Sequence, residues 1–364
     1  MISQSLPESG GPQERFHKHY LTASVESIFK SKVNDISYYP IAGDASDRSY
    51  FRVSFKPMGK EDRHESIILM QLKDPLPDEE SDFINILKFL KGLDSPVPNL
   101  FHYDKDRGLL FLEDCGDVTL EEIIRHHPDR TRDRYLQAVE LLAQFQYRAT
   151  RAVGSKCPAY HLRFDTEKLM WEFEFMLDHY VGGLQKTPLK KSEWKELRQQ
   201  FFPVCKKLEK QPLCFTHRDY HSRNLMVHKD KLVMLDFQDA RMGPCQYDLV
   251  SLLKDSYVQL NENMRESLVA HYIQLKQELE SKPVDREEFD TVFDWMSVQR
   301  NLKAVGTFAY QSVIKKNDRY IQYIQPTLQY VRDTLNKRTD LTMLKEVLIR
   351  SIPDLGITAN PATK

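Results

Sequence analysis

Residues 216–257 read THRDYHSRNLMVHKDKLVMLDFQDARMGPCQYDLVSLLKDSY. A polar loop opens the stretch, from His217 to Asn224. Two short apolar runs follow, Leu225-Met226-Val227 and Leu232-Val233-Met234-Leu235, joined by the polar His228-Lys229-Asp230-Lys231. That pattern predicts a β-hairpin. The second run ends on Asp236-Phe237-Gln238. The stretch therefore carries an acid in a loop (Asp219), an Asn five positions on (Asn224), and an Asp at the end of the next hairpin (Asp236). Any one of these alone reads as a turn or cap residue. Their joint spacing around a hairpin points to phosphoryl transfer: Asp219 can accept the proton of an attacking hydroxyl, and Asn224 and Asp236 offer oxygens that can hold magnesium against phosphates.

His217-Arg218-Asp219 with Asn224 matches the H-R-D-x-x-x-x-N loop of protein kinases, and Asp236-Phe237-Gln238 departs from their D-F-G only at its third residue. With His221 added, His217-x-Asp219-x-His221-x-x-Asn224 resembles the signature of the aminoglycoside phosphotransferase and choline kinase-like family, over about residues 36–335. The resemblance implies an α+β, two-lobed protein-kinase-like fold, with a small β-rich N-terminal lobe holding one helix and a larger helical C-terminal lobe. It implies ATP (or GTP) with Mg2+ and a small-molecule acceptor. Asp219 is then the catalytic base, Asn224 and Asp236 the metal ligands, and His217, His221 and Asp248 supports of the loop. The expected division is a tail over 1–25, an N-lobe over 26–116 and a C-lobe over 117–364.

The bulk properties agree with such an enzyme. The 364 residues carry 52 Lys and Arg against 53 Asp and Glu, a net charge of -1. No basic excess argues for nucleic acid, and no single-sign field argues for a membrane surface. The apolar runs fall far short of the ~18 residues of a membrane span. Residues 1–16 lack a signal-like apolar core and are rich in Ser, Pro and Gly, which reads as a loose tail. Cys115, Cys157, Cys205, Cys214 and Cys245 form no C-x-x-C pair and are odd in number, as expected of reduced cytosolic thiols. A cytoplasmic monomer is the expectation.

In the N-terminal part, Ile36–Ile41 and Tyr50–Phe55 read as strands. Between them Gly43, Asp44, Ala45 and Ser46 begin a loop that can offer N–H groups to phosphate or serve as a plain hairpin turn. The wording GDASDRSYFR resembles the phosphate loop of the anomeric N-acetylmuramate and N-acetylglucosamine kinases of cell-wall recycling. A third strand, Ile67–Lys73, ends on Lys73, where kinase-like folds place a phosphate-pairing Lys held by a Glu of the next helix. That helix, about Glu79–Lys91, has its acids only in the first turn, so Lys73 reads either as phosphate ligand or as solvated strand end, with Arg48 or Arg52 as substitutes. Leu109–Leu112 runs into Glu113-Asp114-Cys115-Gly116, which resembles the family's adenine-binding hinge and makes Glu113 and Cys115 cofactor-side residues.

The C-terminal part reads as helices over about 134–148, 166–180 (N-cap Asp165, with Trp171, Phe173 and Phe175 as core) and 192–208. Asp248 just precedes an apolar run and reads as an N-cap. The resemblance to the sugar-kinase branch extends through FQDA-x-MGP-xx-YDLVSLLxDSY and Gln299–Ala309. It implies substrate-side roles for Glu174, Asp239, Asp255, Tyr257, Arg300 and Lys303, each of which also reads as a solvated or structural polar residue. The acceptor it implies is an amino sugar phosphorylated at its anomeric hydroxyl. Two alternatives remain open: a kinase of another small alcohol, such as choline, homoserine or an aminoglycoside, and a catalytically weak nucleotide-binding regulator. A protein kinase would need an A-P-E segment after Asp236, which the chain lacks.

Overall fold

The structure is a computed structural model that describes residues 16–41, 48–59, 64–75 and 81–356. Contacts divide the chain into two units, one of residues 1–81 and 97–116, the other of residues 82–96 and 117–364. The expected phosphate loop residues Gly43, Asp44, Ala45 and Ser46 lie outside the described residues.

The first unit is built on strand alternation. Helix α1 (Lys18–Phe29) precedes β1 (Val33–Ile41), β2 (Ser49–Pro57) and β3 (Glu65–Gln71), and β4 (Leu100–Asp104) and β5 (Leu109–Glu113) follow. Among the described residues they form one five-stranded antiparallel sheet in the order β1-β2-β3-β5-β4. Every second residue of β2, Phe51, Val53 and Phe55, is buried, as a half-covered strand requires. Register sets Phe51 beside Leu69 and Leu69 beside Phe111. Leu21 and Val25 of α1 join that row in the core.

Two features differ from the sequence reading. Strand β3 stops at Gln71, and Lys73 lies exposed beyond it rather than at a strand end. Arg52 is bound to Asp114, with Nε 2.7 Å and Nη2 3.0 Å from the carboxylate, which also accepts from Ser66 Oγ at 2.6 Å and Gly116 N at 2.9 Å. Burial works to raise the Asp114 carboxyl, but these donors hold it below its ordinary value.

The second unit is mostly helical. It begins with α2 (Asp82–Lys91), a helix the sequence reading assigned to the first domain. Then come α3 (Leu120–His126), α4 (Thr131–Ala152), α5 (Thr166–Met176), continued by a π-helical turn Leu177–Leu184, and α6 (Lys191–Glu209). Short strands β6 (Cys214–Thr216), β7 (Leu225–His228), β8 (Lys231–Met234) and β9 (Arg241–Gly243) follow. The chain closes with α7 (Gln246–Leu253), α8 (Glu262–Glu280), α9 (Arg286–Val313), α10 (Ile324–Lys337) and α11 (Thr342–Ser351). Asp165 caps α5 by accepting from Lys168 N at 2.7 Å. Phe173 is fully buried as expected, but Trp171 is 50 % exposed and Phe175 only half-buried. A Cβ on Gly306 would stand 2.7 Å from Met176 Cα, so α9 passes α5 backbone to backbone. That close approach brings the polar side chains of both helices to one place. Among the described residues no helix is long and apolar enough to cross a membrane, and the five cysteines are free and buried.

Candidate active site

Short-range hydrogen bonds shape the loop of residues 217–224. Strand β6 pairs antiparallel with β9, Thr216 opposite Arg241, which fixes where the loop starts. Strands β7 and β8 pair with His228 opposite Lys231. The two residues between, Lys229 and Asp230, have φ of 49° and 64°, the left-handed pair of a type I′ turn. At the open end of that hairpin Leu235 N donates to Asn224 O at 2.9 Å. Asn224 and Asp236 are thereby brought together, Nδ2 to Oδ2 at 3.4 Å. Asn224 Nδ2 also donates to Asp219 O at 3.0 Å, and Gln238 Nε2 donates to Asp236 Oδ1 at 2.6 Å. Hairpin geometry thus brings two side chains twelve residues apart along the chain to within 3.4 Å of each other.

Two buried carboxylates hold the loop backbone. Asp248 is not the N-cap of α7. It sits within the first turn, and Cys245 occupies the cap position. Its Oδ2 accepts from His217 N and its Oδ1 from Arg218 N, both at 2.8 Å, and Gln146 Nε2 donates to Oδ2 at 3.2 Å. Burial outweighs these donors and pushes the Asp248 carboxyl up to about 7. Asp255, also fully buried, accepts from Ser222 N at 2.9 Å and Tyr257 N at 3.0 Å. Its carboxylate therefore braces the loop rather than facing an acceptor. His217 lies edge-on to Phe145 and Tyr220, and burial pushes its ring down to about 4. His221 packs edge-on to Tyr257, with Nε2 3.4 Å from Asn224 Nδ2, and burial pushes it down to about 3. Both rings are neutral at ordinary pH.

Asp219 sits among cations. Lys303 Nζ of α9 is 3.4 Å from its Oδ1. Burial alone would raise the Asp219 carboxyl, but the charges of Lys303, Arg218 and Arg300 outweigh it and hold the group well below the carboxylate range. Arg218 has φ of 80° and spans two acids, Glu172 at 3.6 Å and Asp239 at 3.2 Å. Arg300 is buried and donates from Nε to Ser251 Oγ at 3.1 Å.

Of the acids on α5, Glu174 pairs with Arg198 of α6, outside this cluster. The residue that enters it is Glu172, 1 % exposed, whose Oε2 accepts from Gln299 Nε2 at 2.8 Å. The signal for Glu172 was legible: it lies on the apolar stripe of Leu169, Phe173 and Met176, where a carboxylate needs partners. In the first unit the Glu113 carboxylate accepts from Asn99 N at 3.1 Å and Nδ2 at 2.7 Å, and Cys115 is buried with Sγ 3.9 Å from Glu113 O.

The model of the phosphotransferase enzyme family matches residues 37–281. The chain is similar to an N-acetylmuramate/N-acetylglucosamine kinase of Neisseria meningitidis serogroup B, 29 % identical over 339 residues, covering 91 % of this chain and 94 % of the relative. It is similar to one of the same name from Pseudomonas putida, 31 % identical over 313 residues, covering 84 % and 86 %. Among solved structures it resembles choline kinase LicA from Streptococcus pneumoniae, with a TM-score of 0.57, 14 % identity, and coverage of 87 % of this chain and 99 % of that one. LicA in complex with AMP matches at a TM-score of 0.52. At that identity the structural likeness establishes a common fold and nothing finer.

Proposed function

The chain belongs to the phosphotransferase enzyme family, and from that premise we propose that it transfers the γ-phosphoryl group of ATP to the anomeric hydroxyl of an amino sugar, N-acetylmuramate or N-acetylglucosamine. The observation that carries the reading is the Asp219 environment. A carboxylate kept ionised by Lys303 and Arg218 lies within a loop whose backbone is held by Asp248 and Asp255, with Asn224 and Asp236 five and seventeen residues further on.

Asp219 takes the proton of the acceptor hydroxyl as that oxygen bonds to phosphorus and the bond to the β-phosphate oxygen breaks. Lys303, beside the same carboxylate, offsets charge on the transferring group. Most of the rate then comes from positioning and fixed charge. His217 and His221 stay neutral and act by packing.

The residues fit a magnesium ion. The Asn224 amide is oriented through its NH2 toward Asp219 O and Asp236, which leaves its oxygen for a hard cation beside the Asp236 carboxylate. Among the described residues no cluster of three or more His, Cys, Asp or Glu forms a closed metal site. Bound there, magnesium would neutralise phosphate charge. Glu113 and Cys115 are assigned to the adenine side of the nucleotide, and Gly43, Asp44, Ala45, Ser46 and Lys73 to its phosphates. The relatives named for amino sugars support the acceptor.

The test is ADP release with each sugar, followed by phosphorus NMR of the product. A phosphate on the anomeric oxygen, and no turnover of the matching methyl glycoside, is the expected result. Phosphate at position six, or equal turnover of the blocked sugar, overturns the acceptor while leaving the transfer chemistry in place.

A further inference from the structure

The charges around Glu172 and Arg218 do not balance. Helix α5 carries Lys168 one turn before Glu172, and α9 carries Lys303 one turn after Gln299. The Glu172–Gln299 hydrogen bond ties these faces together. Arg241 of β9 stands opposite Thr216, two residues before Arg218. The available carboxylates are spent: Asp219 on Lys303, Glu172 and Asp239 on Arg218. Asp248 and Asp255 are turned to the loop backbone, and Glu174 to Arg198.

Lys168, Arg241 and Arg300 make no ion pair among the described residues. Lys168 Nζ lies over the Trp171 ring at 3.9 Å. The Arg241 guanidinium lies over Phe164 at 5.1 Å, with Nε donating to the Asp239 carbonyl at 3.4 Å. Arg241 is only 8 % exposed, and a cation removed from water without a counter-charge is costly. Burial, then repulsion from Arg218, holds Lys168 and Arg241 below their ordinary values, and for Lys168 the repulsion of Arg241 and Lys303 adds to it. An anion beside them would remove that penalty.

We propose that Lys168 and Arg241 form an anion subsite on the Glu172–Arg218 side of the loop that carries Asp219, and that it binds a carboxylate of the acceptor, so that N-acetylmuramate, which carries a lactyl carboxylate, is used in preference to neutral N-acetylglucosamine. This rests on the amino-sugar reading above. The strongest charges on Lys168 are Glu172, Arg218, Arg241 and Lys303, the cluster on the Arg218 side of the loop, rather than the Asn224–Asp236 pair assigned to the nucleotide phosphates. A guanidinium can take a carboxylate through two N–H groups at once, and the ammonium adds a point charge. The same surplus disfavours a cationic acceptor such as choline or an aminoglycoside.

The experiment compares both sugars as acceptors for wild type, Lys168→Gln, Arg241→Gln, the double variant and the charge-retaining Arg241→Lys. Wild type is expected to show the higher kcat/KM for N-acetylmuramate. Each Gln variant should lose roughly tenfold or more of it, as for a truncated charge pair. Turnover of N-acetylglucosamine and the KM for ATP should stay within about threefold of wild type, less than a lost charge contact would remove. Arg241→Lys should recover most of the loss. Equal losses on both sugars, or no loss on either, overturn the subsite. A rise in the ATP KM alone would assign these cations to the nucleotide phosphates instead. If neither sugar is phosphorylated, the amino-sugar reading fails by itself. Thermal unfolding in malonate against chloride of equal ionic strength then reads the subsite without turnover. Stabilisation of wild type that disappears in the double variant supports it, and no stabilisation, or equal stabilisation of both, overturns it.

Discussion

Replacing Asp248 by Asn changes almost no volume and removes one acceptor from a buried node. In the native site Oδ1 accepts from Arg218 N, while Oδ2 accepts from His217 N and Gln146 Nε2. An amide has one oxygen. Its better orientation keeps that oxygen toward His217 and Gln146 and turns its NH2 on the Arg218 N–H. One buried donor is then unsatisfied, at about 1–3 kcal/mol, and above pH ~7, where Asp248 is ionised, the surviving bonds also fall from charged to neutral strength, so the total there is roughly 2–4 kcal/mol.

The functional effect follows from Arg218. Its φ of 80° is a conformation costing on the order of 1–3 kcal/mol and kept only while neighbours enforce it. Once freed, Arg218 relaxes and carries Asp219 with it, and a displacement of ~1 Å at a reacting group is worth ~10²-fold in rate. Urea unfolding followed by circular dichroism should report the stability loss, and ADP release at saturating substrates should report kcat down by about two orders of magnitude. The nucleotide KM should change far less than kcat, because Asp236 is held by Gln238 and the hairpin while Asn224 keeps its backbone bond to Leu235 and loses only its contact with Asp219 O. A folded variant with the expected stability loss but wild-type kcat would refute the idea that Asp248 sets the catalytic geometry.

The other expectations use the same geometry. Asp219→Asn should lower kcat by ~10²- to 10⁴-fold while nucleotide affinity, read by calorimetry, holds; wild-type turnover would remove Asp219 as the base. Asp236→Asn should weaken binding of MgATP far more than of metal-free ATP, since an amide is a poorer magnesium ligand than a carboxylate; equal weakening of both would take Asp236 off the metal. His217 is pushed down to about 4 by burial from about 6.5 when unfolded, so it contributes stability that is present above pH ~6.5 and lost as pH falls toward 4, roughly 3 kcal/mol in all. Asp248, pushed up to about 7, has the opposite sign in that window. The quantity to measure is therefore the stability difference between wild type and His217→Gln, which should shrink on acidification; a difference independent of pH would mean His217 does not titrate as stated. Gly306→Ala should destabilise by about 1–3 kcal/mol through overpacking on Met176; a neutral effect in thermal unfolding would show that α5 and α9 can separate at no cost.

The loop and hairpin were legible because their geometry is local. The spacing of His217, Asp219, His221 and Asn224, the two apolar runs and the turn between them lie within one short stretch, and the backbone rules for a two-residue hairpin act over that distance. On α5 the local pattern holds the answer but the aromatic residues mislead. Trp171, Phe173 and Phe175 read as the core and resemblance points to Glu174 beside the reading of a solvated face, whereas the periodicity of Leu169, Phe173 and Met176 sets Glu172 on the buried face and turns Trp171 outward. Ion pairing was not legible. Arg52 is tied to a carboxylate 62 residues away, and no pattern in the sequence chooses Asp114 over the other acids. Asp248 reads as a cap from its position before an apolar run, and only the tertiary fold shows its oxygens committed to His217 and Arg218.

Helix α9 shows how little separates the two outcomes. Gln299 and Lys303 lie about 40° apart around the helix, at ~100° per residue, so the face that reaches Glu172 also reaches Asp219. Arg300 is about 60° from Lys303 by the same rule, and that rotation is enough to turn it to Ser251 of α7. A charge near the site therefore acts on Asp219 through space in one case and by direct contact in the other. The faces meet these partners because α9 approaches α5 closely at Gly306, a packing feature that the residues of α9 do not encode without Met176 opposite.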